Sequence, residues 1–317
     1  MTISSQTKAQ LIIGSALALA AAAVYFLFAR AASYPPVGDT RVFRLGGIPH
    51  AVAATPDAIW VTDLDRRLVM KLDPVSGQVE ARQRVAFVPG ELVVTDDFVW
   101  VGAIEDRSIV RLGVENAELV DEIEVGLTPQ SLAADEERVW VAAFDDGIVR
   151  SIDAVSGEVS GEAIRDSEAF WADLTYGFDK LWVADVVADS VLRIDSAGNR
   201  DEIPVGDSPT GIVAGEGSIW TSDFNARTVT RIDPESLEPG RPILIGGRPG
   251  GIATGAGYVW VTRPEDDALI RIDAETGSWT GEVIAVGVDP QGVSVTSDAV
   301  WVANQGDGTI SRVDLPD

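Results

Sequence analysis

Short apolar segments centred on a tryptophan recur along the chain at a nearly constant spacing. Each segment has the form apolar–Trp–apolar, or apolar–Trp–Thr in one copy, and polar residues surround it. The central residues are Trp60, Trp100, Trp140, Trp182, Trp220, Trp260 and Trp301, at intervals of 40, 40, 42, 38, 40 and 41 residues. Self-similarity at a period of about 40–45 residues predicts a β-propeller with four short strands in each blade.

Two further positions keep a fixed distance from these tryptophans. Eleven residues before the Trp stands a proline in six of seven repeats, and the exception is Trp171. Thirteen residues after the Trp stands an aspartate in six of seven repeats, and the exception is Gly113. In the segment Asp73–Gly77 this aspartate begins a tight turn, because Asp accepts backbone hydrogen bonds and Gly adopts positive φ. Each repeat therefore contains an apolar strand after the proline, the Trp strand, an alternating strand and an outer strand.

The two ends of the repeat region complement each other. The seventh repeat stops at Asp314 without a fourth strand, and residues 42–46 have the fourth-strand pattern. We expect the N-terminal strand to complete blade 7, because this closes the ring and removes an open sheet edge. The predicted fold is all-β: a seven-bladed β-propeller over residues 41–317, with four-stranded antiparallel blades.

The first 30 residues differ from the repeats. Leu11–Ala29 is nineteen residues long and carries no charge, which fits one helix that spans a bilayer. Residues 1–30 are therefore predicted to be an N-terminal transmembrane helix that anchors the protein in a membrane. A cleaved signal peptide stays open as an alternative, since Ala29–Ala31 resembles a small-residue cleavage site. Residues 31–40 contain two prolines and are predicted to be a stiff linker.

Composition limits the chemistry of the propeller. The 317 residues include no cysteine, which excludes disulfides, thiolate metal sites and cysteine nucleophiles. With 24 Lys and Arg against 50 Asp and Glu, the formal net charge is −26. Such a domain repels phosphate backbones, so no nucleic-acid partner is expected. The acidity favours cations or basic partner surfaces, or serves solubility alone.

Two sets of loop positions are expected to surround the mouth of the central channel. The loop that enters the inner strand and the loop after the second strand open on the same face of a propeller. The first set follows the proline position by one residue: His50, Gly90, Gln130, Ala172, Thr210, Gly250 and Gln291. The second set follows the core Trp by three residues: Asp63, Ala103, Ala143, Asp185, Asp223, Arg263 and Asn304. Both sets vary between blades, which indicates ligand or partner binding unless the loops vary only because nothing constrains them.

Three features of this face indicate particular chemistry. Trp171 replaces the expected proline beside Phe170; exposed, it would anchor a partner, and buried, it would plug the channel. The carboxylates of Asp63, Asp185 and Asp223 are of the type that binds calcium or magnesium. Solvated carboxylates are the simpler interpretation, so no metal site and no cofactor are predicted, with Ca²⁺ or Mg²⁺ as the alternative.

The repeat text resembles that of a known group. Val-Trp-Val-Ala-Asn at 300–304, with Arg-Ile-Asp in several repeats, is similar to YVTN/NHL-type propellers, especially virginiamycin B lyase-like proteins and the extracellular sensor propellers of bacterial membrane kinases. The resemblance covers residues 41–317. It implies an exported, non-catalytic binding or scaffold module with a protein partner, one form being an accessory subunit of a membrane complex. The expected location is the cell membrane, single-pass, with the propeller facing the periplasm or cell exterior.

The same resemblance leaves an enzyme open. Virginiamycin lyases look as though they need two histidines, an acidic residue and magnesium at the channel mouth, and this chain has only His50. With one imidazole, proton abstraction and leaving-group protonation cannot be divided between two histidines. A binding module is therefore favoured over the alternative, a metal-dependent lyase or hydrolase working at the channel mouth.

Overall fold

The computed structural model describes residues 37–143, 147–161 and 163–316. These residues form seven separate four-stranded antiparallel sheets, which confirms the predicted seven-bladed propeller. In six blades the strands follow one another from the channel outwards in chain order. The first strand of the chain, β1 (Thr40–Arg44), belongs to the seventh blade instead.

The first four blades contain the following strands. Blade 1 consists of β2 (Pro49–Ala54), β3 (Ile59–Asp63), β4 (Leu68–Leu72) and β5 (Val79–Arg84). Blade 2 consists of β6 (Pro89–Val94), β7 (Phe98–Ala103), β8 (Ser108–Gly113) and β9 (Leu119–Glu124). Blade 3 consists of β10 (Ser131–Ala134), β11 (Arg138–Ala143), β12 (Ile148–Asp153) and β13 (Ile164–Arg165). Blade 4 consists of β14 (Trp171–Gly177), β15 (Lys180–Asp185), β16 (Ser190–Ile194) and β17 (Arg200–Pro204).

The remaining blades complete the ring. Blade 5 consists of β18 (Pro209–Gly215), β19 (Ser218–Asp223), β20 (Thr228–Ile232) and β21 (Ile243–Leu244). Blade 6 consists of β22 (Ile252–Gly255), β23 (Tyr258–Arg263), β24 (Ala268–Asp273) and β25 (Ser278–Ala285), with a 3-10 turn at Pro264–Asp266. Blade 7 consists of β26 (Pro290–Val295), β27 (Ala299–Asn304) and β28 (Thr309–Asp314), joined by β1.

The ring closes through the N-terminal strand, as the sequence predicts. β1 pairs antiparallel with β28, from Thr40 opposite Val313 to Arg44 opposite Thr309. The Gly38 amide adds a backbone hydrogen bond to the Asp314 carbonyl at 2.7 Å. Blade 7 therefore combines strands from both ends of the repeat region, and β28 is paired with β1 instead of forming the edge of a three-stranded sheet.

The repeat tryptophans are core residues between neighbouring sheets. Six of the seven are at most 1% exposed, and Trp140 is the exception at 8%. The repeat aspartates make the predicted turns: Asp73 Oδ1 accepts hydrogen bonds from the Val75 and Ser76 amides, and Gly77 has φ of 67°. These bonds, first of all those from Ser76, lower the pKa of Asp73. Each repeat thus supplies one core Trp and, in most blades, one Asp turn between the third and fourth strands.

The predicted anchor, residues 1–30, lies outside the described residues, as does most of the predicted linker. Within the part of the chain that the structure describes, we find no helix with the length and apolar character needed to span a membrane.

Candidate functional site

A cavity of about 610 Å³ occupies one mouth of the central channel. The starts of the inner strands line it, together with the loops that follow some of the second strands. Six of the seven first-set residues lie in its wall: His50, Gln130, Ala172, Thr210, Gly250 and Gln291. The structure thus brings these six positions to one cavity, and the role in binding predicted for His50, Gln130, Thr210 and Gln291 stays a prediction.

A bulge at the start of several inner strands explains why side chains point into this cavity. The pairing register shifts between Pro49 and Val52, and again between Pro89 and Leu92. The same shift occurs between Trp171 and Asp173. A β-bulge leaves an extra residue out of the ladder and re-aims the neighbouring side chains. The repeat proline, which donates no ladder hydrogen bond, suits this position.

The residues two places after the proline position lie where neighbouring inner strands approach most closely. Blades 5, 6 and 7 have glycine there, and a Cβ on Gly251 would lie 2.4 Å from the Gln291 carbonyl oxygen. A Cβ on Gly292 would lie 2.5 Å from the His50 carbonyl oxygen. Blades 2 and 4 instead carry Glu91 and Asp173 at this position, and both line the cavity.

His50 and Glu91 form a pair at the cavity wall. The His50 Nε2 atom lies 3.3 Å from Glu91 Oε1, and the Gln305 side-chain amide lies 2.6 Å from His50 Nδ1. With the proton on Nε2, the imidazole donates to Glu91 and accepts from Gln305. Burial lowers the pKa of His50, but the hydrogen bond and charge of Glu91 outweigh it, so that the pKa lies above its ordinary value.

Asp173 connects three blades at the same wall. Its Oδ1 accepts hydrogen bonds from the Ser131 hydroxyl of blade 3 and from the Leu174 amide. Its Oδ2 accepts a 2.9 Å hydrogen bond from the Ile212 amide of blade 5. Burial raises the pKa of Asp173 to about 7, although these hydrogen bonds act in the opposite direction. The carboxyl group therefore changes its charge near neutral pH.

The opposite part of the wall carries a cation that is already paired. Arg248 Nη1 lies 3.3 Å from Glu265 Oε1, and its guanidinium lies 5.0 Å from the centroid of the Phe224 ring. The cavity thus contains three carboxyl groups, of Glu91, Asp173 and Glu265, against one guanidinium and the His50 imidazole. Most of its lining is apolar, and its charged groups are mainly acidic.

The second predicted set lies elsewhere, which corrects its placement at the open channel mouth. Asp63 and Asp223 are fully buried and Asp185 nearly so. Asp63 Oδ1 accepts from the Ile48 and Arg66 amides, and Asp185 Oδ1 accepts from the amides of residues 187 and 188. These carboxylates cap the loop after the second strand, because buried loop amides need acceptors.

Asp223 is held by hydroxyl groups inside blade 5. Thr221, Thr228 and Thr230 each donate to its carboxylate at 2.6–2.9 Å. Burial raises the pKa of Asp223, and the three threonine hydrogen bonds oppose this increase. The side chain therefore stabilises the blade and is enclosed by it.

Arg263 and Asn304 have the same structural role. Arg263 pairs with Asp266 in the following turn and donates to the Ile245 carbonyl at 3.2 Å. The Asn304 amide donates to the hydroxyls of Thr309 and Ser311, both at 2.9 Å. Both residues are buried and lie outside the cavity wall. The residue three places after the core Trp differs between blades because different side chains stabilise the loop that follows the second strand.

Trp171 neither anchors a partner at the surface nor plugs the channel. Its side chain is 0% exposed and belongs to the core shared by blades 3 and 4, with Trp140 and Leu174. The adjacent Phe170 is 37% exposed. Both sequence-based interpretations of Trp171 are therefore corrected: it is a core residue between two sheets.

The carboxylates considered for a metal do not converge. Asp63, Asp185 and Asp223 belong to blades 1, 4 and 5, and each is engaged by groups of its own blade or the loop beside it. In residues 37–316, leaving out 144–146 and 162, no three His, Asp or Glu side chains are placed together to hold a metal ion.

Sequence reasoning missed four groups of the cavity: Glu91, Asp173, Arg248 and Glu265. The signal for Glu91 and Asp173 was present in the repeat, two places after the proline position. That row contains Ala51, Glu91, Ser131, Asp173, Gly211, Gly251 and Gly292. Two acidic residues in a row of small ones indicate a special environment. Arg248 and Glu265 stand in loops and have no such signal.

Comparisons with known proteins agree on the fold. No family model and no curated protein sequence matches the chain. A streptogramin B lyase structure matches with a TM-score of 0.78 at 19% identity, over 88% of this chain and 98% of that chain. A catalytically inactive virginiamycin B lyase from Staphylococcus aureus, solved with quinupristin, matches with 0.77 at 17% identity, over 88% and 100%. Hydrazine synthase from Kuenenia stuttgartiensis matches with 0.74 at 16% identity, over 84% and 95%.

At these identities the likeness establishes the architecture and no activity. The resemblance drawn from the tryptophan repeats is thereby confirmed at the level of the fold: the chain is a seven-bladed propeller similar in structure to virginiamycin B lyase.

Proposed function

We propose that this protein is a membrane-anchored, extracytoplasmic binding module that holds a cationic ligand in the cavity at the channel mouth. The observation that carries the proposal is the cavity itself, about 610 Å³ with three carboxyl groups and one paired guanidinium. A cavity of this volume is in the range of pockets that bind small molecules. The ligand is a small amine, or the amino group of a peptide or protein partner.

The charge of the cavity supports a cation over an anion. Glu91 lies beside the His50 imidazole, and the buried Asp173 carboxyl group ionises near pH 7. A bound ammonium group would place a positive charge beside both carboxylates. Gln130 and Gln291 supply amide groups that fix the orientation of a ligand. A cation also lowers the pKa of a nearby carboxyl group, so binding is coupled to proton release from Asp173.

The test is binding of amines to the full-length chain in mild detergent. Ligand-observed NMR with matched primary amines, alcohols and carboxylates should show binding of the amines only. Glu91→Gln and Asp173→Asn should each weaken amine binding by about tenfold at pH 8, because each removes a negative charge from the wall that faces the bound cation.

The matched control is Glu235→Gln, which removes one negative charge from an exposed turn of blade 5. It should leave amine binding unchanged. Equal loss in Glu235→Gln would mean that the net charge of the chain, rather than the cavity, attracts amines. Binding of the alcohols or carboxylates at similar strength would refute the proposed ligand class.

The proposed location has its own test, because the chain has no cysteine. Val155 is 72% exposed in a turn of blade 3, so Val155→Cys creates a single accessible thiol. A membrane-impermeant maleimide should label it in intact cells if the propeller lies outside the cytoplasmic membrane. Labelling only after lysis would contradict that location and leave the cavity proposal intact. Co-purification of a stoichiometric partner from native membranes would support the accessory-subunit form.

A second candidate, an enzyme, is favoured by one observation: His50 and Asp173 line the same cavity, and both have raised pKa values. A group whose pKa lies near the working pH is suited to general acid–base catalysis, and Asp173, with a pKa of about 7, is such a group. A lyase or hydrolase would lose turnover in His50→Gln and in Asp173→Asn while still binding its substrate. If neither variant lowers the turnover of a bound compound, these residues are not catalytic and the binding module is favoured over the enzyme.

A further inference from the structure

The core tryptophans of most blades are covered by a cation from the neighbouring strand. The third strand of each blade places one residue directly opposite the Trp, and in six blades that residue is Lys or Arg. In five of these the cation lies 5.3–5.9 Å from the Trp ring centroid, as for Lys71 on Trp60 and Arg111 on Trp100. A cation over an indole face is a stabilising arrangement.

Three of these cations also donate hydrogen bonds to backbone carbonyls of the next blade. Lys71 donates to the Glu115 carbonyl, Arg111 to the Val155 carbonyl, and Arg231 to the Glu275 carbonyl, at 2.8–3.3 Å. Each acceptor stands two residues after the start of the turn between the third and fourth strands of the following blade. The junction of two blades therefore has a repeated form: Trp face, cation, turn carbonyl.

Blade 3 departs from this form. The residue opposite Trp140 is Ser151, whose side chain is too short to cover the indole or reach the next blade. Tyr176 of blade 4 stacks on Trp140 with ring centroids 4.5 Å apart and planes inclined by 12°. At this position the other blades have Ala, Val or Thr. Trp140 nevertheless keeps 8% exposure, in contrast to the other core tryptophans.

A cavity of about 400 Å³ lies at this junction of blades 3 and 4. Ser151, Trp140 and Tyr176 line it, together with the turn that begins at Asp195. Ala197 in that turn corresponds to Val155, the acceptor of Arg111 at the previous junction. This junction therefore has the Trp face and the turn of the next blade, as the other junctions do. In place of the cation between them it has Ser151 and the cavity.

The surroundings of this cavity are acidic. Asp135, Glu137, Asp179 and Asp195 line it, against the cations Arg138 and Lys180. Burial, followed by the charges of Asp135 and Asp179, raises the pKa of Tyr176. Lys180 Nζ donates to the Asp179 carbonyl at the rim. The excess of carboxylates favours an incoming positive charge.

We propose that this cavity, the blade 3/4 site, binds an arginine side chain of a basic partner protein, which enters where blades 2 and 5 supply their own arginine. Arginine fits better than lysine, because a planar guanidinium stacks on aromatic rings and keeps donors for carboxylates and carbonyls. The site opens where the first strands turn into the second ones, at the end of the blades opposite the channel-mouth cavity. It is independent of the ligand proposed there.

The test uses the full-length chain in mild detergent with 5-fluorotryptophan in place of its nine tryptophans. The probes are the amidated peptides Gly-Arg-Gly, Gly-Lys-Gly and Gly-citrulline-Gly, the last being a neutral isostere of the first. Gly-Arg-Gly should shift the ¹⁹F resonance that Trp140→Phe removes. It should bind about tenfold more tightly than the citrulline peptide, as expected for a cation on aromatic rings.

Ser151→Arg supplies the missing cation from within the chain. It should weaken Gly-Arg-Gly binding at the Trp140 resonance at least tenfold and raise the melting temperature, because it restores the repeated junction. Ser297→Arg adds the same charge at an exposed turn of blade 7 and should change neither. If Ser151→Arg does not fold, the double variant Glu137→Gln, Asp179→Asn should still reduce binding severalfold.

Three results would overturn the proposal: an unmoved Trp140 resonance, equal binding of the citrulline peptide, or undiminished binding in the folded Ser151→Arg variant. Tighter binding of the lysine peptide would replace arginine by lysine as the ligand. A response confined to other tryptophan resonances, abolished by Glu91→Gln, would assign the peptide to the channel-mouth cavity instead.

Discussion

The first and second sets of channel-mouth positions look alike in sequence but have different roles in the structure. Residues such as Gln130 and Thr210 are exposed in the wall of the cavity. Residues such as Asp63 and Asp223 are buried, and neighbouring groups satisfy most of their polar atoms. Both sets vary from blade to blade. Variation alone therefore does not distinguish a binding position from a loop support; the hydrogen-bond partners do.

The largest expected effect compares the free energy of unfolding after substitution of two adjacent residues, the exposed Phe170 and the buried Trp171. Trp171→Ala should reduce the free energy of unfolding by about 3–5 kcal/mol, because it opens a cavity in the core shared by blades 3 and 4. Phe170→Ala, at a 37% exposed side chain, should cost less than about 1 kcal/mol. Urea denaturation of both variants measures the difference. Similar values for the two would place Trp171 at the surface after all.

A smaller effect compares the two sets directly. Asp223→Ala leaves three threonine hydroxyls without their acceptor inside blade 5 and should destabilise by about 1–3 kcal/mol. Thr210→Ala, in the cavity wall, should change stability by no more than about 0.5 kcal/mol. The measurement is again the urea midpoint at constant slope. A neutral Asp223→Ala would mean that the second set is not structural.

The sequence predicts the fold well because the repeat encodes it seven times. A Trp in every repeat, with a Pro and an Asp in six of the seven, determines the strand order, the turn and the blade count. The closure by β1 also follows, since the missing outer strand has one candidate. Six of the seven first-set residues line the cavity because each follows the start of an inner strand, and several of these starts are bulged, as in blades 1 and 2.

The candidate site is less predictable, for a physical reason. Which side chain of a loop points into a cavity depends on local bulges and on contacts from the next blade. Asp173 illustrates this: its partners Ser131 and Ile212 belong to other blades, about 40 positions away in sequence. The environment of Trp171 likewise depends on Trp140 from the preceding blade. A single repeat contains neither relationship.

The last comparison uses pH rather than a lost contact and concerns Asp173, which lines the cavity and also joins blades 3, 4 and 5. Its pKa is about 7 in the folded chain against an ordinary value of 3.8. Between those values the folded state holds a proton that the unfolded state has released, so the contribution of Asp173 to stability falls as pH rises from about 4 to about 7. Above about pH 7 the contribution is constant.

Asp173→Asn removes this titration while keeping the shape of the side chain. The unfolding free energy of wild type minus that of Asp173→Asn should therefore decrease as pH rises from about 4 to about 7, and then level off. Urea denaturation between pH 4.5 and 8.5 measures it, and carboxyl groups common to both proteins cancel in the difference. The same subtraction with Glu235→Gln, at an exposed turn, should show no such decrease between pH 5 and 7. A constant difference for Asp173→Asn would show that Asp173 is already ionised at low pH and acts as a loop support, like the second set.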